Sequence, residues 1–69
     1  MYFYQRIRDM REDNDLSQEK VAEVLEITRQ QYQLYESGKR EMPMHLFITL
    51  AQHYGVSLDY LAGIKKQKI

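Results

Sequence analysis

Cysteine is missing from this sequence altogether, which excludes a disulfide framework and any Cys-based zinc site and suits a reducing compartment. Proline and glycine are scarce, one and three in 69 residues, and neither a low-complexity stretch nor an internal repeat occurs. No apolar run approaches the ~20 residues that span a bilayer. The opening MYFYQRIRD is aromatic but meets charge too soon for a signal peptide. No alternating apolar–polar run is bounded by turn residues, so strand signals are lacking as well. His45 and His53 stand eight positions apart without a cysteine nearby, a pattern that does not hold a metal. There is no glycine-rich phosphate loop and no nucleophile motif. The acids Asp9, Glu12, Asp13 and Asp15 read as a solvated helix face and turn rather than a carboxylate site. The expectation is therefore a single all-α domain that is not an enzyme and takes no metal, cofactor or small-molecule ligand. At this length only about 60% of the extended surface is buried, so the domain must pack well or share its core with a partner.

An excess of charge of one sign is also lacking, since ten lysines and arginines balance ten acids. Nucleic-acid binders are usually basic, but here the distribution is uneven. From Asp9 to Glu26 the acids Asp9, Glu12, Asp13, Asp15, Glu19, Glu23 and Glu26 face only Arg11 and Lys20. Beyond Ile27 the balance reverses, with Arg29, Lys39, Arg40, Lys65, Lys66 and Lys68 against Glu36, Glu41 and Asp59. An acidic front with a basic face behind it is compatible with one-sided phosphate contact, and equally with an ordinary mixed surface.

What is present is best organised from Leu16 to Gly38, LSQEKVAEVLEITRQQYQLYESG. Ser17 and Thr28 are good N-caps, because their hydroxyls accept from otherwise unpaired backbone N–H groups. The flanking pairs Leu16/Val21 and Ile27/Tyr32 fit hydrophobic staples, and Thr28 with Gln31 fits a capping box. Only Glu26 and Ile27 separate the apolar pattern ending at Leu25 from the second cap, a link short enough to make the two helices cross as a helix-turn-helix. The helix Arg29 to Ser37 turns Tyr32 and Tyr35 inward, and Gln30 and Leu34 fall on the opposite side of the helical wheel. Gln33 lies beside them, and Gly38 provides a left-handed stop.

Around this pair, an apolar stripe at Phe3, Ile7 and Met10 predicts a first helix over Phe3–Asp13, broken by Asp13-Asn14-Asp15. The run Tyr2-Phe3-Tyr4 reads as core cover or as a partner surface. The second helix, Ser17 to Leu25, buries Val21, Ala22 and Leu25. After a polar loop, Lys39 to Met42, Pro43 suits the start of a fourth helix running to about Tyr54. Its inner face is Phe47, Leu50, Ala51 and Tyr54, flanked by Leu46 and Ile48. Ser57 caps a short fifth helix ending before Gly63. The basic tail, residues 64–69, carries no packing signal and is expected to be loosely ordered.

LSQEKVAEVL, ITRQQYQLYESGKREMP and LAQHYGVSLDYLAG together resemble the phage repressor and Cro-type helix-turn-helix family, often called XRE-like. The likeness runs from about Ile7 to Gly63, and its segments fall in the family's order. It implies a compact five-helix bundle like the lambda-repressor DNA-binding domain, occupying residues 1–63. It also implies sequence-specific binding of double-stranded DNA, usually as a homodimer on an operator with dyad symmetry. The setting it implies is the cytoplasm, at the nucleoid. By that resemblance the helix Arg29 to Ser37 enters the major groove, and Arg11 and Glu36 form a pair tying the first helix to the third. Gln18 touches phosphate and braces the recognition helix, and Ala22 is the small residue at the helix crossing. The turn position often held by glycine is Glu26, which must then take a left-handed backbone. The core position often held by isoleucine or valine is Tyr32.

The chemistry of the residues agrees. Arginine pairs bidentately with guanine and glutamine with adenine, and an apolar side chain meets the thymine methyl. Thr28, Arg29, Gln30, Gln33 and Leu34 are thus the expected base contacts. Ser17, Gln18, Ser37, Lys39 and Arg40 are the expected phosphate contacts, at or beyond helix ends. The expected function is transcriptional regulation, most simply repression by occupying an operator. Its competitor is a protein-interaction module of the same fold, an antitoxin-like partner with weak or no specific DNA binding. The zero net charge and the acidic front keep that second reading open.

Overall fold

The computed structural model describes residues 4–68. Tyr4 is the N-cap, so the first helix starts at Gln5 and not earlier; Phe3, expected as its first residue, and Tyr2, expected as core cover or a partner surface, lie outside the described residues. Within them the chain forms five helices: α1 (Gln5–Asp13), α2 (Gln18–Leu25), α3 (Arg29–Glu36), α4 (Met44–Tyr54) and α5 (Leu58–Leu61). α2, α3 and α5 start where their caps dictate. The hydroxyls of Ser17, Thr28 and Ser57 each accept from the backbone N–H three residues on, all at 3.1 Å. At Thr28 the box closes reciprocally, since its own N–H donates to Gln31 Oε1 at 3.3 Å. Pro43 sits at the N-cap of α4, one residue outside the helix.

All of these helices stop in the same way. A residue with positive φ follows the last turn at Asp15, Glu26, Gly38, Gly55 and Gly63. The next N–H then reaches back over the turn: Leu16 to the Arg11 carbonyl, Ile27 to Ala22, Lys39 to Leu34, Val56 to Ala51 and Ile64 to Asp59, at 2.8–3.0 Å. This is the Schellman closure, which satisfies carbonyls left unpaired at a helix end. Glycine adopts that backbone freely, whereas Glu26 does so at φ 58°, ψ 41° with a full side chain. The left-handed turn expected at Glu26 is therefore present, and it leaves only three residues between the end of α2 and the start of α3.

α2 packs on α3, α1 reaches α3 and α5, and α4 packs on α2 and α5. The core holds Ile7, Met10, Val21, Ala22, Leu25, Tyr32, Tyr35, Leu50, Ala51 and Leu61, with Leu46 and Phe47 closing its α4 side. Two core residues, Met42 and Leu46, differ from expectation. Met42 lies in the supposedly polar loop yet is buried. Its N–H donates to the Tyr4 hydroxyl at 2.9 Å, and the Tyr4 ring meets Phe47 edge-on at 5.2 Å between centroids. Tyr4 thus covers the core, and the peptide at Met42 is drawn in beneath it. Leu46, expected on the flank of α4, faces inward, while Ile48 remains exposed.

The tail is more tied than its composition suggests. Arg6 stacks on the Tyr60 ring, 4.2 Å from its centroid, and donates to the Tyr60 and Lys65 carbonyls at 3.2 Å. The Ser57 N–H donates to the Lys68 carbonyl at 2.7 Å. Backbone acceptors, which no side-chain pattern encodes, supply these ties.

A left-handed backbone costs a side-chain-bearing residue roughly 1–2 kcal/mol, while glycine forfeits about 0.5–1 kcal/mol of unfolded-state entropy. Glu26→Gly is therefore expected to stabilise the domain by about 0.5–1 kcal/mol, raising Tm by about 3–6 °C. Thermal melts check this, and an unchanged or lowered Tm would show that the Glu26 side chain is held in place by contacts that offset the strain.

Candidate nucleic-acid interface

The caps and closures just described present α3 with one face buried and the other free. Tyr32 and Tyr35 are buried, whereas Thr28, Arg29, Gln30 and Gln33 are exposed along the outer side. Leu34, expected to stand exposed beside Gln30, is half-buried, so less of it is available to a ligand. The expected phosphate contacts fall at helix ends. Ser17 caps α2 and Gln18 opens it, while Ser37 follows α3. The Ser37 hydroxyl donates to the Leu34 carbonyl at 3.2 Å. Lys39 and Arg40 are exposed, and both their N–H groups donate to the Leu34 carbonyl, at 3.0 and 3.2 Å. Their side chains therefore leave from a fixed point at the C-terminal end of α3.

Beneath this face lies a charged lock. Arg11 Nε donates to Glu36 Oε2 at 2.9 Å and Nη2 to Oε1 at 3.0 Å, a bidentate pair joining α1 to α3. Arg11 Nη1 donates to the Leu16 carbonyl at 2.9 Å, holding the segment that enters α2. Gln18 Nε2 donates to Glu36 Oε1 at 3.2 Å, so α2 joins the same carboxylate. The two charged side chains are 14% and 6% exposed. Burial alone would raise the Glu36 carboxyl, but hydrogen bonding by Arg11 and Gln18, with the nearby Tyr32 hydroxyl, holds it below the usual carboxylate range. The bond to Glu36 raises Arg11 in turn, against the effect of burial.

Tyr32, four residues before Glu36 on α3, brings its hydroxyl under this lock. Burial first, and then the Glu36 carboxylate, push the phenol far up. It feels that charge without meeting it in good hydrogen-bond geometry, and the Tyr54 hydroxyl is likewise buried without a partner. Burial pushes Tyr54 up to about 12. The sequence marks Tyr32 as a departure from an aliphatic position but carries no sign of where its hydroxyl lands.

An open cleft of about 280 Å³ adjoins the lock, walled by Arg8 and Arg11 of α1, Gln18 of α2, and Gln33, Glu36 and Ser37 at α3. It brings Gln33 and the expected phosphate contacts Gln18 and Ser37 to one place. Arg8 is in that wall although nothing in its spacing singles it out, beyond being one turn before Arg11.

The helix-turn-helix family model matches residues 7–61. The chain belongs to the helix-turn-helix family. Among relatives of this helix-turn-helix chain, the HTH-type transcriptional regulator YobD of Bacillus subtilis (strain 168) is 34% identical over 62 residues, covering 90% of this chain and 55% of the relative. The SPbeta prophage-derived HTH-type transcriptional regulator YonR of the same organism is 39% identical over 59 residues, 86% of this chain and 55% of the relative. The cryptic phage CTXphi transcriptional repressor RstR of Vibrio cholerae is 33% identical over 67 residues, 97% of this chain and 60% of the relative. The helix-turn-helix chain thus spans only 55–60% of the length of these curated relatives. No solved structure matches it.

Breaking a buried pair leaves an uncompensated charge, so Arg11→Met and Glu36→Gln should each cost roughly 3–5 kcal/mol, and the double variant less than their sum. Thermal and urea melts of the three proteins test this, and additive losses would mean that the pair is not coupled.

The pH dependence follows from the lowered Glu36 carboxyl. In acid the unfolded state takes up its proton first, so the stability Glu36 contributes is complete above the ordinary value of about 4.5 and is lost as pH falls through the lower folded value. Urea melts across that acid range should show a steeper loss for the native chain than for Glu36→Gln. Parallel curves would assign acid unfolding to other groups.

Proposed function

We propose that this chain is a sequence-specific, double-stranded-DNA-binding transcriptional regulator that represses by occupying its operator. The observation that carries the reading is the exposed row Arg29, Gln30 and Gln33 on a helix held rigidly from beneath by the Arg11–Glu36 pair, within a chain matching the helix-turn-helix family over residues 7–61. α3 lies in the major groove. Arg29, Gln30 and Gln33, with Thr28 at the helix start and the free part of Leu34, read base edges. Ser17, Gln18, Ser37, Lys39 and Arg40 hold phosphate. Repression is supported by the likeness to RstR, a transcriptional repressor.

One short recognition helix reads only a few base pairs, so the protein acts as a homodimer on DNA. Its half-sites stand about 34 Å apart, one helical turn. Of the apolar residues expected around the fifth helix as the contact surface between protomers, Leu58, Tyr60, Leu61 and Ile64, the exposed Leu58 and Ile64 form it. Leu61, apolar and adjacent in sequence, is 1% exposed and belongs to the core instead.

Selection from random duplexes, followed by binding titrations of variants, tests the reading. A dyad-symmetric motif should emerge. Gln30→Ala should lose about 1–3 kcal/mol on that operator and leave non-specific binding nearly unchanged. Lys39→Ala and Arg40→Ala should weaken both kinds of binding and lower the log–log salt slope by about one per lost contact. If no motif emerges and Gln30→Ala and Lys39→Ala are both silent, the interaction-module reading takes over.

A further inference from the structure

We infer that Arg8, on α1, is a phosphate-binding residue of this protein, held off DNA in the free state by Glu12 and transferred to the DNA backbone when the protein binds. The inference rests on the DNA-binding reading above and extends the interface to a helix outside the helix-turn-helix.

The argument begins with the cleft beside the lock. α3 supplies one wall through Gln33, Glu36 and Ser37, α1 the opposite wall through Arg8 and Arg11, and Gln18 of α2 stands between them. Gln33 belongs to the exposed outer side of α3. When that side sits in the major groove, the backbone bordering the groove passes along the cleft. Its walls carry two arginines against one carboxylate. Arg11 is committed to Glu36 by two hydrogen bonds and to the Leu16 carbonyl by a third. Of the two arginines in its walls, Arg8 is therefore the one that Glu36 does not hold, and only the exposed Glu12 offsets its charge.

Arg8 is free to move, and Arg11 is not. The Arg8 side chain is 56% exposed and makes a single i,i+4 ion pair with Glu12, 3.3 Å from Nε to Oε2. Exposed pairs of this kind are among the weakest in proteins, and a phosphate competes well for a guanidinium. Glu12 is not stranded by the exchange, because the same oxygen lies 3.9 Å from Arg11 Nη2. Glu12 thus acts as a parking site, shielding the cleft from weak anions and releasing Arg8 to a polyanion.

The test is a titration of the full chain against its selected operator and a random duplex, at several salt concentrations. Arg8→Ala should weaken both complexes alike, since phosphate contacts carry no sequence information, and lower the salt slope by about one per bound protomer. Between about 50 and 200 mM salt its deficit should then shrink about 3.5-fold per protomer. Arg8→Lys should keep the native slope. Glu12→Gln should tighten binding in the native chain but not in the Arg8→Ala background. The proposal is overturned if Arg8→Ala leaves the slope unchanged, or if Glu12→Gln tightens binding equally in both backgrounds, which would mean general repulsion alone. In either case the expected losses for Gln30→Ala and Lys39→Ala would leave the DNA-binding reading standing. A chain that binds no duplex overturns both.

Discussion

One carboxylate, that of Glu36, gathers three helices. It receives the Arg11 guanidinium from α1 and the Gln18 amide from α2, and it is itself part of α3. A buried ion pair is weak as a source of net stability, because desolvation cancels much of the attraction, but separating its partners leaves a buried charge uncompensated. Any sliding of α3 along α2 separates Gln18 from Glu36, and any tilt away from α1 spoils the bidentate geometry. The outward row of polar side chains on α3 owes its orientation to this lock as much as to the apolar core.

The core itself is small, and its shape follows from how the helices stop. Each closure redirects the chain within two or three residues, so short helices pack without long loops. At Asp15 and Glu26 this closure is made without glycine. Both residues are solvent-exposed acids, so the local strain is borne where no packing is disturbed. The closure at Gly38 has a second consequence. It fixes where Lys39 and Arg40 leave the backbone, which puts two cations beside the end of α3 in a protein with no net charge to spare. Charge is thus concentrated locally although the composition is not basic.

Much of this architecture was legible in the residues alone, and the reasons are local. Ser17, Thr28 and Ser57 form caps with the neighbours three positions on, so a short window contains both partners. The inward tyrosines of α3 and the stripe at Ile7 and Met10 follow from helical period, which a single element determines. Gly38 and Gly55 end helices because of their own backbone freedom. The helix order, the sites of turning and the exposed row at Arg29, Gln30 and Gln33 are consequences of such short-range rules.

Tertiary structure decided what depends on residues far apart in the chain. Met42 is buried because the Tyr4 hydroxyl, 38 positions away, captures its N–H. Leu46 turns inward because it joins the core cluster, whose other members come from several helices and which no single helical wheel contains. The tail is held by Arg6 through main-chain carbonyls, an acceptor every residue possesses and no side chain advertises. Arg8 enters the cleft only because α1 lies against α3. Sequence determined where each helix begins, ends and carries its apolar face, since those are matters of neighbouring residues. Only the folded chain decided which polar groups meet across helices, since a hydrogen bond or ion pair between distant residues exists nowhere until packing brings them together.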